Sequence, residues 1–422
     1  MKKPDRKLAV VQEGSPQRPL PLAAFLRGRL HDFVVDSGLA VLQELFEEER
    51  SAACGERYRH DAERQASRHG RAPGELVMGG RRVAVQRPRV RTRGGAELML
   101  PSWSVFAAED PLHDRAVEQM VLGVSTRGYD RSIEPLPVGV RGRGASKSAV
   151  SRRFVMATKA RVAALLGRRL ETLDLVVLML DGIHVDDHVV LVALGIDIEG
   201  RKHVLGLREG ATENSTACKA LLADLCERGL RTDRTMLVVL DGAKALRKAV
   251  RDVFGDCALV QRCQEHKKRN VEEHLPEMLR VATRTAMNEA YRSGSAARAA
   301  KLLENLARRL EADHPSAAAS LREGLAETLT VIDLQLPDAL ERTLATTNPI
   351  DNIMGGCRRV TRNVKRWRGG SMIVRWIGTA LIEAAKGFRR LRGHHGMPKL
   401  VAALRSRDTQ LGLVLDTMPA TA

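Results

Sequence analysis

The stretch Leu173–Asp197 reads LDLVVLMLDGIHVDDHVVLVALGID and contains the most strand-like residues of the chain. Its run from Val176 to Leu180 is apolar at every position, which is typical of a strand buried on both faces. The run is expected to end on the carboxylate of Asp181. A carboxylate at the edge of a core needs a counter-charge, a set of hydrogen bonds or a metal to offset its desolvation. The rest of the chain must supply that partner.

Further apolar runs predict the sheet to which this strand belongs. Two runs follow at hairpin distance and should be its antiparallel neighbours, and two more are reached through helices. The hairpin runs are Val189–Ile196 and His203–Leu207, and the later strands are Met236–Leu240 and Ala258–Val260. The linking helices are expected to begin at an Asn214 or Ser215 cap and end near Gly229, and to cover Ala243–Val253. Three antiparallel strands continued by two crossover strands indicate an α/β, RNase H-like core with a mixed five-stranded sheet.

Two matched dipeptides, Asp181-Gly182 and Asp241-Gly242, are predicted to close the first and fourth of these strands. In an RNase H-like sheet those strand ends are adjacent, so the two carboxylates could share Mg²⁺. Close carboxylates repel unless a cation lies between them, which would answer the question that Asp181 raises. The alternative is that each Asp only begins a turn and caps the next few residues of the chain.

A two-metal site for phosphoryl transfer needs a third acid. Asp351, in TTNPIDN, is the first candidate, although with Asn348 as N-cap it would stand at N3 and simply stabilise the helix dipole. Glu383 is the rival. It lies off the apolar face of its helix, which favours a solvated partner of neighbouring cations.

The overall charge indicates a polyanionic partner. Lys and Arg outnumber Asp and Glu by 69 to 51, a net charge of +18 over 422 residues. Aromatic residues make up only 3%, so phosphate contacts with duplex DNA are favoured over base stacking on single strands. No apolar run approaches membrane-spanning length, so we expect no membrane partner and a cytoplasmic, nucleoid-associated protein. The six scattered cysteines show no CxxC pair, which argues against a disulfide framework.

The pattern of elements suggests a division of the chain. Residues 1–30 read as a flexible arm, and 31–170 as a mainly helical DNA-binding region with basic hairpins in Leu76–Trp103. A helix-turn-helix is expected near 113–165, its second helix capped by Ser146 or Ser148. The catalytic core would comprise 171–273 and 346–395, separated by an all-helical insertion at 274–345, and 396–422 would be a tail.

Basic side chains at three places are candidates for DNA contact. The second helix of the helix-turn-helix carries Lys147, Arg152 and Arg153, although a solvated basic helix is the alternative. The segment Arg358–Arg392 contains eleven Lys or Arg and one acid. The candidates in this segment are Arg358, Arg359, Arg362, Lys365 and Arg366. A third cluster, at the start of a predicted helix, consists of Lys267, Lys268 and Arg269.

Cys263 and His266 have CxxH spacing, but no second pair lies nearby, so a structural zinc site is not expected. His266 could orient a phosphate or the third acid, or it could be a core histidine whose hydrogen bonds are satisfied.

Four ordered stretches together resemble the Mutator-type transposases of bacterial insertion sequences, from about Val121 to about Leu404. They read LDGIHVDDHVVLVALGIDIEGRKHVLGLREGATEN, VVLDGAKALRKAV, QRCQEHKKRNV and TTNPIDNIMGGCRRVTRNVKRW. The resemblance implies a DDE transposase with an RNase H-like core, an all-helical insertion before the third acid and an N-terminal region that binds terminal inverted repeats. It implies two Mg²⁺ ions, with Mn²⁺ as a possible substitute. We also expect a homo-oligomer when the protein is assembled on DNA.

The resemblance also assigns residues. The first two acids match Asp181 and Asp241, and the family's Cys-x-x-His element matches Cys263 and His266. The third acid of the family is a Glu, and Asp351 stands in its place. Because Asp is one methylene shorter, its carboxylate is expected to stop about an ångström short of the metal and to weaken catalysis. A structure-specific nuclease and a decayed, non-catalytic DNA-binding protein are the rival functions.

Overall fold

The computed structural model describes residues 21–59, 64–78, 81–108, 112–133, 135–143, 146–210, 215–362 and 364–413. The chain divides into two compact units, Met1–Gln119 with Val124–Arg153, and Met120–Gly123 with Phe154–Ala422. None of the described helices combines the length and apolar character that crossing a bilayer requires.

The first unit combines helices with a long antiparallel hairpin. Its elements are α1 (Pro21–Cys54), β1 (Ala66–Met78), β2 (Arg81–Thr92), β3 (Glu97–Leu98), α2 (Pro101–Ala108), α3 (Leu112–Val121), β4 (Gly142–Arg143) and the start of α4 (Lys147–Gly167). Strand β2 pairs with β1, β3 and β4. Phe46 of α1 and Trp103 of α2 pack with ring centroids 5.7 Å apart in a core that also contains Leu76 and Val90.

The hairpins predicted in Leu76–Trp103 are confirmed. Gly95 adopts a φ of 84° in the turn that leads to β3, a conformation that favours glycine, whereas Gly79 and Gly80 lie outside the described residues. The unit is less helical than predicted because β1 and β2 run for 13 and 12 residues. The predicted arm is also too long, since α1 begins at Pro21, and residues 1–20 lie outside the described residues.

The helix-turn-helix prediction is wrong. Residues 122–146 separate α3 from α4, and they include a 3₁₀ turn (Tyr129–Ser132) and β4, which pairs with β2. A helix-turn-helix joins its helices by three or four residues. The predicted capping of α4 is confirmed at Ser146, whose Oγ accepts a hydrogen bond of 3.2 Å from the Ala149 N–H.

The second unit contains the predicted five-stranded mixed sheet. Its strands are β5 (Leu175–Val185), β6 (His188–Asp197), β7 (Lys202–Gly210), β8 (Met236–Leu240) and β9 (Ala258–Arg262). The spatial order is β7-β6-β5-β8-β9, with antiparallel pairing among the first three and parallel pairing of β5 with β8 and of β8 with β9. The first and fourth strands of the prediction are therefore neighbours.

Both faces of this sheet are buried, which explains the unbroken apolar runs. Val177 and Met179 face one hydrophobic cluster, while Leu178 and Leu180 face another, as the period of two in a strand requires. Helices α5 (Ser215–Glu227) and α6 (Lys244–Phe254) cover the second face. Helices α13 (Asn348–Thr361), α14 (Gly370–Lys386) and α15 (Met397–Gln410) cover the first.

The region between β9 and α13 is helical, as predicted. It contains α7 (Gln264–Glu273), α8 (Glu277–Tyr291), α9 (Ala296–Glu311), α10 (Pro315–Arg322), α11 (Thr330–Asp333) and α12 (Asp338–Leu344). A 3₁₀ turn at Ala326–Thr328 lies between α10 and α11, and another at Gly255–Cys257 precedes β9. A third hydrophobic cluster holds most of these helices together.

Two predicted boundaries need correction. Leu340 and Leu344, near the end of the predicted insertion, pack into the core of the sheet. The predicted tail does so as well, because Met397, Leu400 and Leu404 of α15 join the same core after a 3₁₀ turn at His394–Gly396. Residues 414–422 lie outside the described residues.

Candidate active site

Asp181 lies inside a strand rather than at its end. Strand β5 continues to Val185 against β6, but its parallel pairing with β8 stops at Leu180 opposite Leu240. Asp181 is the first residue beyond that pairing, and it is only 7% exposed. One of its oxygens accepts a hydrogen bond of 2.9 Å from the Gly182 N–H. The apolar run therefore places a buried carboxylate where the two parallel strands part.

Asp241 does follow the end of its strand, as predicted. Its Oδ1 accepts a hydrogen bond of 2.8 Å from the Ala243 N–H, so it also makes the local turn of the alternative interpretation. Gly242 adopts a φ of 107°, and a Cβ there would lie 2.1 Å from Nε of Arg262. Glycine is required at this turn by both backbone conformation and space, whereas Gly182 continues an ordinary strand.

Asp351 lies in the first turn of α13. Thr347 is the N-cap, so Asp351 is the fourth helical residue, not the third as predicted. Its Oδ2 accepts a hydrogen bond of 2.9 Å from the Thr347 hydroxyl. Its carboxyl also forms a hydrogen bond with Asp181. The side chain of Asp351, although one methylene shorter than Glu, is therefore long enough to contact Asp181.

The three acids influence one another electrostatically. Burial, the hydrogen bond with Asp351 and the negative charges of Asp351 and Asp241 together raise the pKa of Asp181 to about 8. Close carboxylates resist simultaneous ionisation, so one of them retains a proton. The sheet and α13 therefore place Asp351 against Asp181, with Asp241 near enough for its charge to act on Asp181.

The donor chemistry of this cluster fits a hard divalent cation. All three side chains offer carboxylate oxygens, the ligands that Mg²⁺ prefers. Within the described residues, no three Asp, Glu, His or Cys side chains stand close enough together to enclose a metal ion. Asp241 acts on Asp181 through its charge, while its own Oδ1 is used by the Ala243 N–H. The candidate metal ligands are thus Asp181 and Asp351, which contact each other, and Asp241, which lies nearby.

A network of four side chains anchors Asp351. The Thr347 hydroxyl is 2.9 Å from Asp351 Oδ2, 3.2 Å from His266 Nδ1 and 3.4 Å from Cys263 Sγ. A hydroxyl has one proton, and the shortest contact assigns it to Asp351. His266 Nδ1 can then donate to the Thr347 oxygen. Through the Thr347 hydroxyl, Cys263 and His266 of the CxxH element are linked to Asp351.

The electrostatics of the network agree with that assignment. The hydrogen bond with Cys263 raises the pKa of His266 to about 9 against the effect of burial, and Asp351 and Asp181 add to the rise. Burial opposes the thiolate of Cys263, but hydrogen bonds from His266 and Thr347 outweigh it and lower the pKa of the thiol. A protonated His266 has the Nδ1 hydrogen that the donor role requires.

Thr347 was missed in the sequence. It is completely buried, at the N-cap of α13, directly before the Asn-Pro that starts the helix. A threonine followed by Asn-Pro is a helix-start signal in itself, so the capping position could have been recognised. Its link to Cys263 and His266, more than 80 residues earlier, could not.

The basic segment after Asp351 is presented to solvent. Arg358, Arg359, Arg362, Lys365 and Arg366 are all exposed, and none forms an ion pair with another described residue. Lys147 and Arg152 are exposed in the first unit, and Arg153 is partly buried there. These residues remain candidates for DNA contact.

The prediction that Lys267 and Lys268 contact DNA is wrong. Lys267 is completely buried, and its ammonium group donates to the carbonyl oxygens of Ser320 and Glu323, the former at 2.6 Å. Lys268 is 6% exposed and donates to Asn288 Oδ1 at 2.7 Å. Both cations hold the helical region together. Arg269, the third member of that cluster, is exposed.

Glu383 pairs with neighbouring cations, as its helix position predicts, but its side chain is only 19% exposed. Its Oε1 accepts a hydrogen bond of 2.8 Å from Lys386 Nζ and lies 3.8 Å from Arg161. Both partners are cations of its own unit. The interpretation that Glu383 is an ion-pairing residue of α14 therefore describes its contacts in the structure.

The known proteins to which this chain is similar are transposases. The family model described as Transposase, Mutator family matches residues 25–390. The transposase for insertion sequence element IS6120 of Mycolicibacterium smegmatis is 30% identical over 57% of this chain and 73% of its own length. That for IS905 of Lactococcus lactis is 26% identical over 77% and 81%, respectively. That for IST2 of Acidithiobacillus ferrooxidans is 30% identical over 42% of this chain, but the match covers only 58% of that relative. The family match covers most of the chain, which therefore belongs to the Mutator family of transposases.

Proposed function

We propose that this protein is a DNA transposase that binds the terminal inverted repeats of its insertion sequence and catalyses strand cleavage and transfer. The observation that carries the proposal is the contact of Asp351 with Asp181, with Asp241 following the neighbouring parallel strand β8, in a Mutator-family chain. The order β7-β6-β5-β8-β9, with the first and fourth strands of the core adjacent, supports an RNase H-like catalytic core.

The three aspartates would hold Mg²⁺, as two ions, with Mn²⁺ as a substitute. When bound, these ions would supply positive charge at the attacking and leaving oxygens of an in-line phosphoryl transfer. A cation would also offset the burial and the neighbouring negative charges that raise the pKa of Asp181.

The chain's own residues would provide the positioning. Thr347 and His266 would fix the orientation of Asp351, because the hydroxyl that donates to its carboxylate is itself held by the imidazole. The exposed arginines from Arg358 to Arg366 would bind phosphates of duplex DNA along α13 and the segment after that helix. The N-terminal unit would bind the terminal repeat. An insertion sequence has two ends, so we also propose that the protein acts as a homo-oligomer on DNA.

A cleavage and joining assay tests this function. The substrate is duplex DNA carrying the element ends that flank the gene, in Mg²⁺, with a second duplex as target. We expect cleavage at the element end and joining of the new 3′-hydroxyl to the target. The Asp181→Asn and Asp241→Asn variants should lose cleavage but keep binding, because neither removes a DNA contact.

Other outcomes would contradict the proposal in distinct ways. Cleavage without joining would indicate a nuclease. Binding without cleavage in either Mg²⁺ or Mn²⁺ would indicate a non-catalytic DNA-binding protein. If both variants lost binding together with cleavage, the acids would be structural.

A further inference from the structure

A basic cavity of about 400 Å³ opens beside the first turns of α13. Four cationic side chains line it: Lys202 of β7, Arg342 of α12, and Arg390 and Arg392 after α14. None of the described residues that line it is Asp or Glu. Several cations around one cavity favour the binding of an anion there.

Two of these cations are already engaged and two are not. Arg390 Nη2 donates to Glu199 Oε2 at 3.2 Å, and Lys202 Nζ lies 5.1 Å from the ring centroid of Phe388. Arg342 and Arg392 are exposed and have no hydrogen-bond or ion-pair partner among the described residues. Their guanidinium groups are therefore available to a ligand, and guanidinium binds phosphate in a bidentate manner.

Helix α13 adds neutral polar groups to the same cavity. Asn348 and Asn352 are one turn apart and both line it. They stand in the N-terminal turns of a 14-residue helix, where the dipole also favours negative charge. Asp351 lies between them in the sequence, so the helix that carries the third acid also borders the basic cavity.

We propose that this cavity binds a phosphodiester group of the DNA strand being cleaved, close to the scissile phosphate. The inference rests on the proposed function, since it takes the site of Asp351 as the place of cleavage. In this arrangement, Arg342 and Arg392 donate hydrogen bonds to the phosphate oxygens. Asn348 and Asn352 contact the phosphate or its sugar. A cavity of about 400 Å³ exceeds a phosphate group alone and accommodates the adjoining sugar.

Binding without catalysis tests the pocket separately from the acids. The probe is a fluorescent 30-base-pair duplex titrated in EDTA, so cleavage plays no part. The Arg342→Gln/Arg392→Gln variant is compared with Lys399→Gln/Arg405→Gln, which removes two exposed cations of α15 that do not line the cavity. We expect the pocket variant to bind about tenfold more weakly, with a salt slope shallower by about one. The control variant should bind within about twofold of the natural protein.

Equal losses in the two variants would overturn the proposal, because they would reflect total charge alone. Unchanged affinity in the pocket variant would also overturn it. Circular dichroism and thermal unfolding confirm that both variants are folded. A free phosphate ligand is tested with inorganic phosphate at constant ionic strength. Thermal stabilisation by micromolar phosphate that duplex DNA does not compete away would assign the cavity to a small phosphate instead.

Failure of the proposed function and failure of the pocket proposal would give different results in these assays. If Asp181→Asn still cleaved DNA, the catalytic assignment would fall while the pocket variant could still bind weakly. If the pocket variant bound normally and Asp181→Asn lost cleavage, only the phosphate pocket would fall.

Discussion

The Thr347 hydroxyl donates a hydrogen bond of 2.9 Å to Oδ2 of Asp351, from the N-cap into the first turn of the same helix. It joins the third acid to His266, which lies 3.2 Å away on the other side of the hydroxyl. The CxxH element is thus linked to Asp351 through a single threonine.

Replacing Thr347 by Val tests this link. Valine has the same shape but no hydroxyl, so the Asp351 carboxylate loses its anchor. We expect the rate of single-turnover cleavage to fall by about a hundredfold, the size that small positioning errors produce, with duplex affinity unchanged. Thr347→Ser keeps the hydroxyl and should retain most of the activity. Equal rates for the Val variant and the natural protein would show that the hydrogen bond has no role in positioning.

The protonation of Asp181 predicts how stability depends on pH in the absence of metal. The folded protein holds this proton up to a pH of about 8, whereas the unfolded chain releases it near 3.8. Unfolding therefore releases a proton between these values, and the free energy of unfolding falls as the pH rises through them. Asp181→Asn removes this effect.

In EDTA, the melting temperature of Asp181→Asn should exceed that of the natural protein by about 5 °C at pH 8, and by much less at pH 4. Asp313→Asn, at an exposed position, is the control and should follow the natural protein. A constant difference between pH 4 and 8 would mean that the pKa of Asp181 is not raised in the metal-free protein.

The length of the third acid can be tested directly. The family resemblance implies that Asp351 is one methylene too short, and on that basis alone Asp351→Glu would raise activity. In the structure, Asp351 already contacts Asp181 while Thr347 holds its other side. A longer side chain would have to give up one of these contacts, so we now expect Asp351→Glu to lower cleavage in Mg²⁺. A higher rate would show instead that the third acid does fall short of the metal.

The salt dependence of binding distinguishes exposed from buried cations. Replacing Arg358, Arg359, Arg362, Lys365 and Arg366 by Gln should make the salt slope of duplex binding shallower by about four. Lys267→Met should leave that slope unchanged and instead lower the free energy of unfolding by about 1–3 kcal/mol, because the carbonyl oxygens of Ser320 and Glu323 lose their donor. A flat slope in the natural protein would remove the basic segment from the interface.

The sheet could be predicted from the sequence because a strand buried on both faces requires an unbroken run of apolar residues. Every residue from Val176 to Leu180 packs into one of two cores, and the first charged residue, Asp181, comes directly after the pairing with β8 stops at Leu180. The adjacency of Asp181 and Asp241 is then a consequence of the strand order alone.

Other features depend on contacts that no local pattern records. Lys267 resembles a surface cation in sequence, but carbonyl oxygens more than 50 residues away enclose its ammonium group. The glycine-rich segment before α4 looked like a tight turn, yet Gly142 pairs with Val83 as a strand. The anchoring of Asp351 likewise needs the α7 and α13 ends to meet.

Binding of one divalent-metal cluster by Asp181, Asp241 and Asp351 is the central claim. Isothermal titration of Mn²⁺ and Mg²⁺ at pH 8 tests it most directly, with each aspartate changed in turn to Asn and Asp313→Asn as the control. We predict that the natural protein and the control bind the metal alike, and that each of the three variants binds at least tenfold more weakly. Equal binding by all five proteins, or no saturable binding by the natural protein, would contradict the claim.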